Sequence, residues 1–209
     1  MTKPTLNKFR ALLSFNTIST LLLVCSVAIN VGLARRVAAL KKEADDAARG
    51  QNLKPGTGVP SMEVKSLDGS PATVAAGGQL PTVFYVFSVT CHWCEQNLDN
   101  IKALSSSTSG RYRFVGVSLD RDDPKAVSDY ALKNGLDFPV YYSPSITTLR
   151  SYKLRGTPHT ILVSPDGKVV NDWAGAYSIE VRGEIENFFG VSLPGLKPMS
   201  SDDTGQTLH

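Results

Sequence analysis

The chain has 209 residues, 42% hydrophobic and 20% charged, a globular composition that excludes wholesale disorder and fibrous repeats. Its 22 basic and 19 acidic residues leave a net charge of +3, too balanced for a nucleic-acid footprint, so no nucleic-acid partner is expected. Three cysteines, at 25, 91 and 94, are too few and too odd in number for a disulfide-stapled miniprotein.

Residues 1–10 are a basic start carrying Lys3, Lys8 and Arg10. Residues 11–34, ALLSFNTISTLLLVCSVAINVGLA, contain no charged side chain. As a helix they reach about 36 Å, enough for a hydrocarbon core of about 30 Å, and they are read as a transmembrane anchor in the lipid bilayer. Ser14, Asn16, Thr17, Ser19, Thr20, Ser26 and Asn30 interrupt the run, and short hydroxyls of this kind can bond back to helix carbonyls. The rival reading is a cleaved signal peptide, whose only small-residue exit here is Gly32-Leu33-Ala34, followed at once by Arg35 and Arg36. Cys25 follows Val24, where lipoprotein signals resemble one another in having a small residue, and is read as an inert thiol. Lys and Arg flank the segment almost evenly, so charge does not orient it.

Residues 35–54 are a stalk. RRVAALKKEADDAAR places Leu33, Val37, Leu40 and Ala44 at helical spacing, so the helix continues out of the membrane until Gly50 and Pro55. A dimerising coiled coil is the sharper alternative for these two heptads.

Residues 55–192 are long enough for one well-buried core. VPSMEVKSL and PATVAA flank the turn Asp68-Gly69 as a hairpin. TVFYVFS, residues 82–88, is β-branched and aromatic, as befits a strand buried on both faces. Leu98, Ile101 and Leu104 then mark a helix, and RFVGVSL a second buried strand. Asp123-Pro124 caps a helix with Val127, Tyr130 and Ala131 on its apolar face, ended by Asn134-Gly135. PVYYS is a short strand, residues 145–153 a short helix, and TILVS, Pro165-Asp166-Gly167 and KVVNDWA a hairpin. Ser178 caps a last helix with Ile179, Ile185, Phe188 and Phe189 inward and Gly190 at its end. The order predicts an α/β fold: a mixed sheet flanked by helices, with an extra N-terminal hairpin. Residues 193–209 are expected to be a disordered tail, polar beyond Leu196.

The chemistry is concentrated in Cys91-His92-Trp93-Cys94, between a buried strand and a helix start. Residues i and i+3 share a helix face, so the two sulfurs can meet in a disulfide. Cys91, at the helix N-terminus, faces free N–H groups that stabilise a thiolate, the nucleophilic form. Cys94, one turn in, is the shielded resolving thiol. A c-type haem site needs His where Glu95 stands, and a structural zinc site needs a second cysteine pair. A three-ligand metal site from Cys91, Cys94 and either His92 or His159 stays open, though no metal or other cofactor is expected. His92 either favours the Cys91 thiolate or is simply solvated. Trp93 either lines a peptide groove or covers the disulfide. In Gly156-Thr157-Pro158-His159, Pro158 opens a strand as a candidate cis peptide, and His159 is read as the first strand residue rather than a base.

The strand–CxxC–helix unit, Tyr152 to Pro158 and PHTILVSPDGKVV together resemble the thioredoxin superfamily. The anchor, the early hairpin and the run of Gly156, Pro158 and Gly167 resemble more narrowly the membrane-anchored TlpA/ResA-type thiol–disulfide oxidoreductases, redoxin-domain proteins. The resemblance covers about residues 55–192. It implies a redox-active disulfide Cys91–Cys94 with Cys91 attacking, Cys94 resolving and the cis-proline Pro158 facing them. His92, Trp93, Thr157 and Pro158 would support the site and form the substrate groove. It also implies protein thiol or disulfide substrates, a membrane electron donor or acceptor for recycling, and the periplasmic side of a bacterial cytoplasmic membrane. The sequence departs from the family at Tyr85, where thioredoxin carries a buried acid, and at Asn97 and Asp99, where TlpA-like proteins often carry Glu and Pro. Two alternatives stand beside this reading. One is a peroxiredoxin-like thiol peroxidase, against which Thr90 is misplaced directly before Cys91. The other is a Cu(I)-delivery module using Cys91, Cys94 and a His.

Overall fold

The computed structural model describes residues 18–40 and 52–197. The expectations for residues 11–17, for the stalk from 41 to 51 and for the tail from 198 onward lie outside the described residues. Two compact units divide the chain at Gln51 and Asn52.

In the first unit, helix α1 (Ile18–Leu40) runs 23 residues with a mean hydropathy of 1.8 in its most apolar stretch. That length and composition suffice to cross a membrane. Asn30 donates from Nδ2 to the Ser26 carbonyl at 2.8 Å, so this polar side chain is satisfied within its own helix. The helix continues past Ala34 to Leu40 without a break.

The second unit is one seven-stranded sheet in the order β2-β1-β5-β4-β3-β6-β7. The hairpin β1 (Met62–Ser66) and β2 (Pro71–Val74) turns at Gly69, whose φ of +87° suits glycine. The strands β3 (Thr82–Phe87), β4 (Arg113–Ser118) and β5 (Val140–Tyr142) pair in parallel. Strands β6 (His159–Val163) and β7 (Val169–Ala174) add an antiparallel hairpin on the far side of β3. The helices are α2 (His92–Gln96), α3 (Leu98–Ser107), α4 (Pro124–Lys133), α5 (Ile146–Ser151) and α6 (Ile179–Phe189).

All six residues of β3 are buried, as its β-branched and aromatic run requires. Strand alternation divides them between two cores. Val83, Tyr85 and Phe87 join Cys94, Ile101, Leu104, Ile185 and Phe189 on one face. Phe84 and Val86 join Met62, Val117, Tyr152 and Ile161 on the other. Ser178 caps α6 by accepting from the Val181 N–H at 3.3 Å, and Gly190 ends it in the left-handed region.

Three expectations are corrected. Ile179 is 81% exposed and Phe188 43% exposed, so neither is core. Ile179 lies about 120° round the helix from Ile185, off the Ile185–Phe189 stripe, and Phe188 flanks that stripe against the Trp173 ring at 5.7 Å. The chain remains on the domain beyond 192: Leu193 is buried, and the N–H groups of Leu193 and Gly195 donate to Glu186 Oε1 at 2.7 Å and Asn100 Oδ1 at 2.8 Å. The domain also starts before 55, because Leu53 is buried and its N–H donates to Asp172 Oδ2 at 2.6 Å.

Candidate active site

Strand β3 ends at Phe87, and a turn, Ser88–Thr90, carries the chain to Cys91, the N-cap of α2. Cys91 has extended backbone (φ −83°, ψ 105°), which turns its side chain back over the first helical turn. Its Sγ accepts from the Cys94 N–H at 3.1 Å, and its carbonyl accepts from Cys94 and Glu95 N–H at 3.0 and 3.2 Å. The two cysteines form a disulfide with Cα atoms 5.2 Å apart. Cys91 is partly exposed and Cys94 fully buried, so an incoming group reaches only the first sulfur. When the bond opens, a thiolate on Cys91 already has a backbone N–H aimed at it.

His92 is exposed, and Gln96 Nε2 lies 2.9 Å from its Nε2. Trp93 is 52% exposed, its ring 5.9 Å from that of His92 in an edge contact. The Thr157–Pro158 peptide is cis. Strand β6 pairs His159 with Val86, which sets Pro158 beside the end of β3 that feeds the Cys91 turn. The Pro158 carbonyl is taken by the Gly175 N–H at 2.8 Å. Thr157 beside it is half-buried.

His159 is the first residue of β6 and is buried, its Nε2 bonded to Asp172 Oδ1. Its register partner Val86 belongs to the core on the opposite face of the sheet from Cys94, so His159 is remote from the sulfurs. Among the described residues no cluster of three His, Cys, Asp or Glu side chains is placed to hold a metal ion. The position three residues before Cys91 is Ser88, whose Oγ bonds Asp120 Oδ1 at 3.0 Å and Thr90 Oγ1 at 3.2 Å.

Tyr85 occupies the place of the missing buried acid. It is fully buried in β3, and its hydroxyl donates to the Cys94 carbonyl at 3.4 Å. Burial, and then the neighbouring hydroxyls of Tyr130 and Tyr177, push that hydroxyl well above its ordinary range, so it stays neutral. Asp99 lies 3.5 Å from Lys102 Nζ and 3.7 Å from Lys197 Nζ.

A polar layer beneath α2 escapes periodicity reading. The Asn97 Oδ1 accepts from Asn100 Nδ2 at 3.0 Å and from the Tyr177 N–H at 3.2 Å, joining α2, α3 and the loop before α6. The only trace in the sequence is the occurrence of Gln96, Asn97 and Asn100 inside an apolar helical stripe.

The Redoxin family profile matches residues 54–182. Solved structures with the same fold include the thioredoxin domain of a thiol–disulfide oxidoreductase from Bacteroides vulgatus. It is 20% identical with a TM-score of 0.54, and the match covers 66% of this chain and 99% of that one. A thiol:disulfide interchange protein of the thioredoxin family from Chlorobium tepidum is 19% identical with a TM-score of 0.52, covering 66% of this chain and 98% of that one. No curated protein sequence matches the chain.

Proposed function

The chain belongs to the Redoxin family of thioredoxin-fold oxidoreductases, and from that premise we propose a membrane-anchored thiol–disulfide oxidoreductase that exchanges Cys91–Cys94 with protein substrates. The observation that carries this reading is the asymmetry of the pair: one sulfur reachable and provided with an N–H, the other buried one helical turn behind it.

In the reducing direction the Cys91 thiolate attacks one sulfur of a substrate disulfide. The substrate S–S bond breaks, a mixed disulfide with Cys91 forms, and the first substrate sulfur leaves as thiolate. Cys94 then gives up its proton and attacks Cys91 Sγ, which expels the second substrate thiolate and closes Cys91–Cys94. Two electrons pass to the substrate, and its two thiolates take up two protons. A membrane electron donor restores the dithiol. In the oxidising direction the same steps run backward and the membrane partner is an electron acceptor. The step requires no metal or organic cofactor.

His92, Trp93 and Thr157 offer the surface that meets the substrate chain, and Pro158, buried just before β6, supports it. Helix α1 supports single-pass anchoring in the bacterial cytoplasmic membrane by its length and hydropathy. A disulfide-exchanging domain suits the periplasmic side, where disulfides persist. Expressed in the native host, Cys94→Ser lacks the resolving thiol and is expected to accumulate a reductant-sensitive adduct with its substrate protein through Cys91. Absence of any such adduct under both reducing and oxidising growth would overturn the reading.

A further inference from the structure

The turn that delivers Cys91 is held by one carboxylate. Asp120 Oδ2 accepts from the Val89 N–H at 2.9 Å, and Oδ1 accepts from Ser88 Oγ at 3.0 Å. Asp120 is itself fixed two residues past the end of β4. Its Oδ2 also accepts from Ser118 Oγ at 2.5 Å, its N–H donates to Ser118 Oγ at 3.1 Å, and its carbonyl accepts from the Ser143 N–H at 3.0 Å. The Leu119 N–H donates to the Phe87 carbonyl at 2.8 Å, locking the end of β4 to the end of β3. Among the described residues Asp120 enters no ion pair; two hydroxyls and one backbone N–H satisfy its carboxylate. The turn passes this position on, because the Cys91 N–H donates to the Ser88 carbonyl at 3.1 Å.

The hold matters unequally in the two redox states. In the oxidised protein the S–S bond itself ties Cys91 to α2. Once that bond opens, the place of Cys91 Sγ under the Cys94 N–H depends on the turn. We infer that Asp120 is a positioning residue for disulfide exchange: by pinning Ser88 and Val89 it holds the reduced Cys91 sulfur at the N-terminus of α2. Loss of the pin therefore weakens the dithiol more than the disulfide. A role in folding alone would weaken both equally.

This inference rests on the exchange reading above, and the experiment separates the two. The full chain in detergent is equilibrated with dithiothreitol redox buffers, and attack of the reduced protein on a model aromatic disulfide is timed. For Asp120→Ala the equilibrium is expected to move about tenfold toward the disulfide, about 30 mV for a two-electron couple, with a rate loss of about tenfold. Asp120→Asn is expected to stay within about twofold of wild type. Its Oδ1 accepts from Val89 and Ser118 while its Nδ2 donates to Ser88 Oγ, which turns its own proton to Thr90. Ser88→Ala removes one of the two bonds to the turn and is expected to shift both readouts in the same direction by about threefold, which tests the idea if Asp120→Ala does not fold. A wild-type chain that exchanges normally while Asp120→Ala and Ser88→Ala share its equilibrium and rate overturns the inference. So does Asp120→Asn behaving like Asp120→Ala, which would make charge rather than position the cause. A wild-type chain that fails to exchange overturns the functional reading instead.

Discussion

The Tyr85 hydroxyl donates to the Cys94 carbonyl from directly behind the disulfide, at 3.4 Å and with no solvent exposure. A neutral donor thus stands at the position where thioredoxin carries a buried acid. Burial holds this hydroxyl protonated across the physiological range, so it takes no proton from Cys94.

The substitution Tyr85→Phe tests that assignment. The Cys94 carbonyl keeps its bond from the Asn97 N–H at 3.2 Å, so the loss is one weak buried hydrogen bond. Unfolding in urea is expected to show a cost of about 1 kcal/mol. The exchange rate is expected to stay within about twofold, with the same pH profile from about pH 5 to 9. A profile that loses an ionisation in the variant would show instead that Tyr85 handles the proton.

Alkaline stability follows from four tyrosines, of which Tyr85, Tyr152 and Tyr177 are buried and Tyr130 is half-buried. Burial raises the hydroxyl of Tyr130 to about 12, those of Tyr152 and Tyr177 further, and that of Tyr85 well above its ordinary range. In the unfolded chain each ionises near its ordinary value of about 10. Above that pH the unfolded state binds fewer protons than the folded one, so stability falls as pH rises. Their contribution is complete below about pH 10 and is lost from there upward. Thermal melts at stepped pH are expected to show a falling Tm above about pH 10. Phenolate absorbance from these four side chains is expected to appear together with unfolding. Free ionisation of all seven tyrosines in a fully folded chain would contradict the burial.

The buried His159–Asp172 pair is structural. Asp172 bonds the imidazole and also accepts the Leu53 N–H, so it ties Leu53 to β6 and β7. Asp172→Ala strands a buried imidazole and a buried N–H together and is expected to cost about 3 kcal/mol in urea unfolding. Exchange measured under native conditions is expected to change little, because the pair lies on the opposite face of the sheet from Cys94. A large rate loss in a folded Asp172→Ala protein would place His159 in the chemistry.

The local features could be read from residue patterns because each is set by near neighbours. The run TVFYVF becomes a central strand, Asp68-Gly69 becomes a turn, and Cys91 caps the helix that its spacing to Cys94 anticipates. Ile179 misled because hydrophobicity alone does not fix helical phase; its angle to Ile185 does. Asp120 was invisible for a different reason. Its partners Ser88 and Val89 are 32 and 31 residues away, and only the adjacency of β3 and β4 brings them together. Leu53 and Asp172 lie 119 residues apart, and Leu193 is drawn into the core by a bond to Glu186 that no periodicity announces.

The most direct test compares the reduced full chain with Cys91→Ser on one model disulfide substrate, following substrate thiol and protein mass together. The account predicts that wild type releases two substrate thiols per chain while losing two hydrogens, about 2 Da, and that Cys91→Ser releases none. Undiminished thiol release by Cys91→Ser would contradict it.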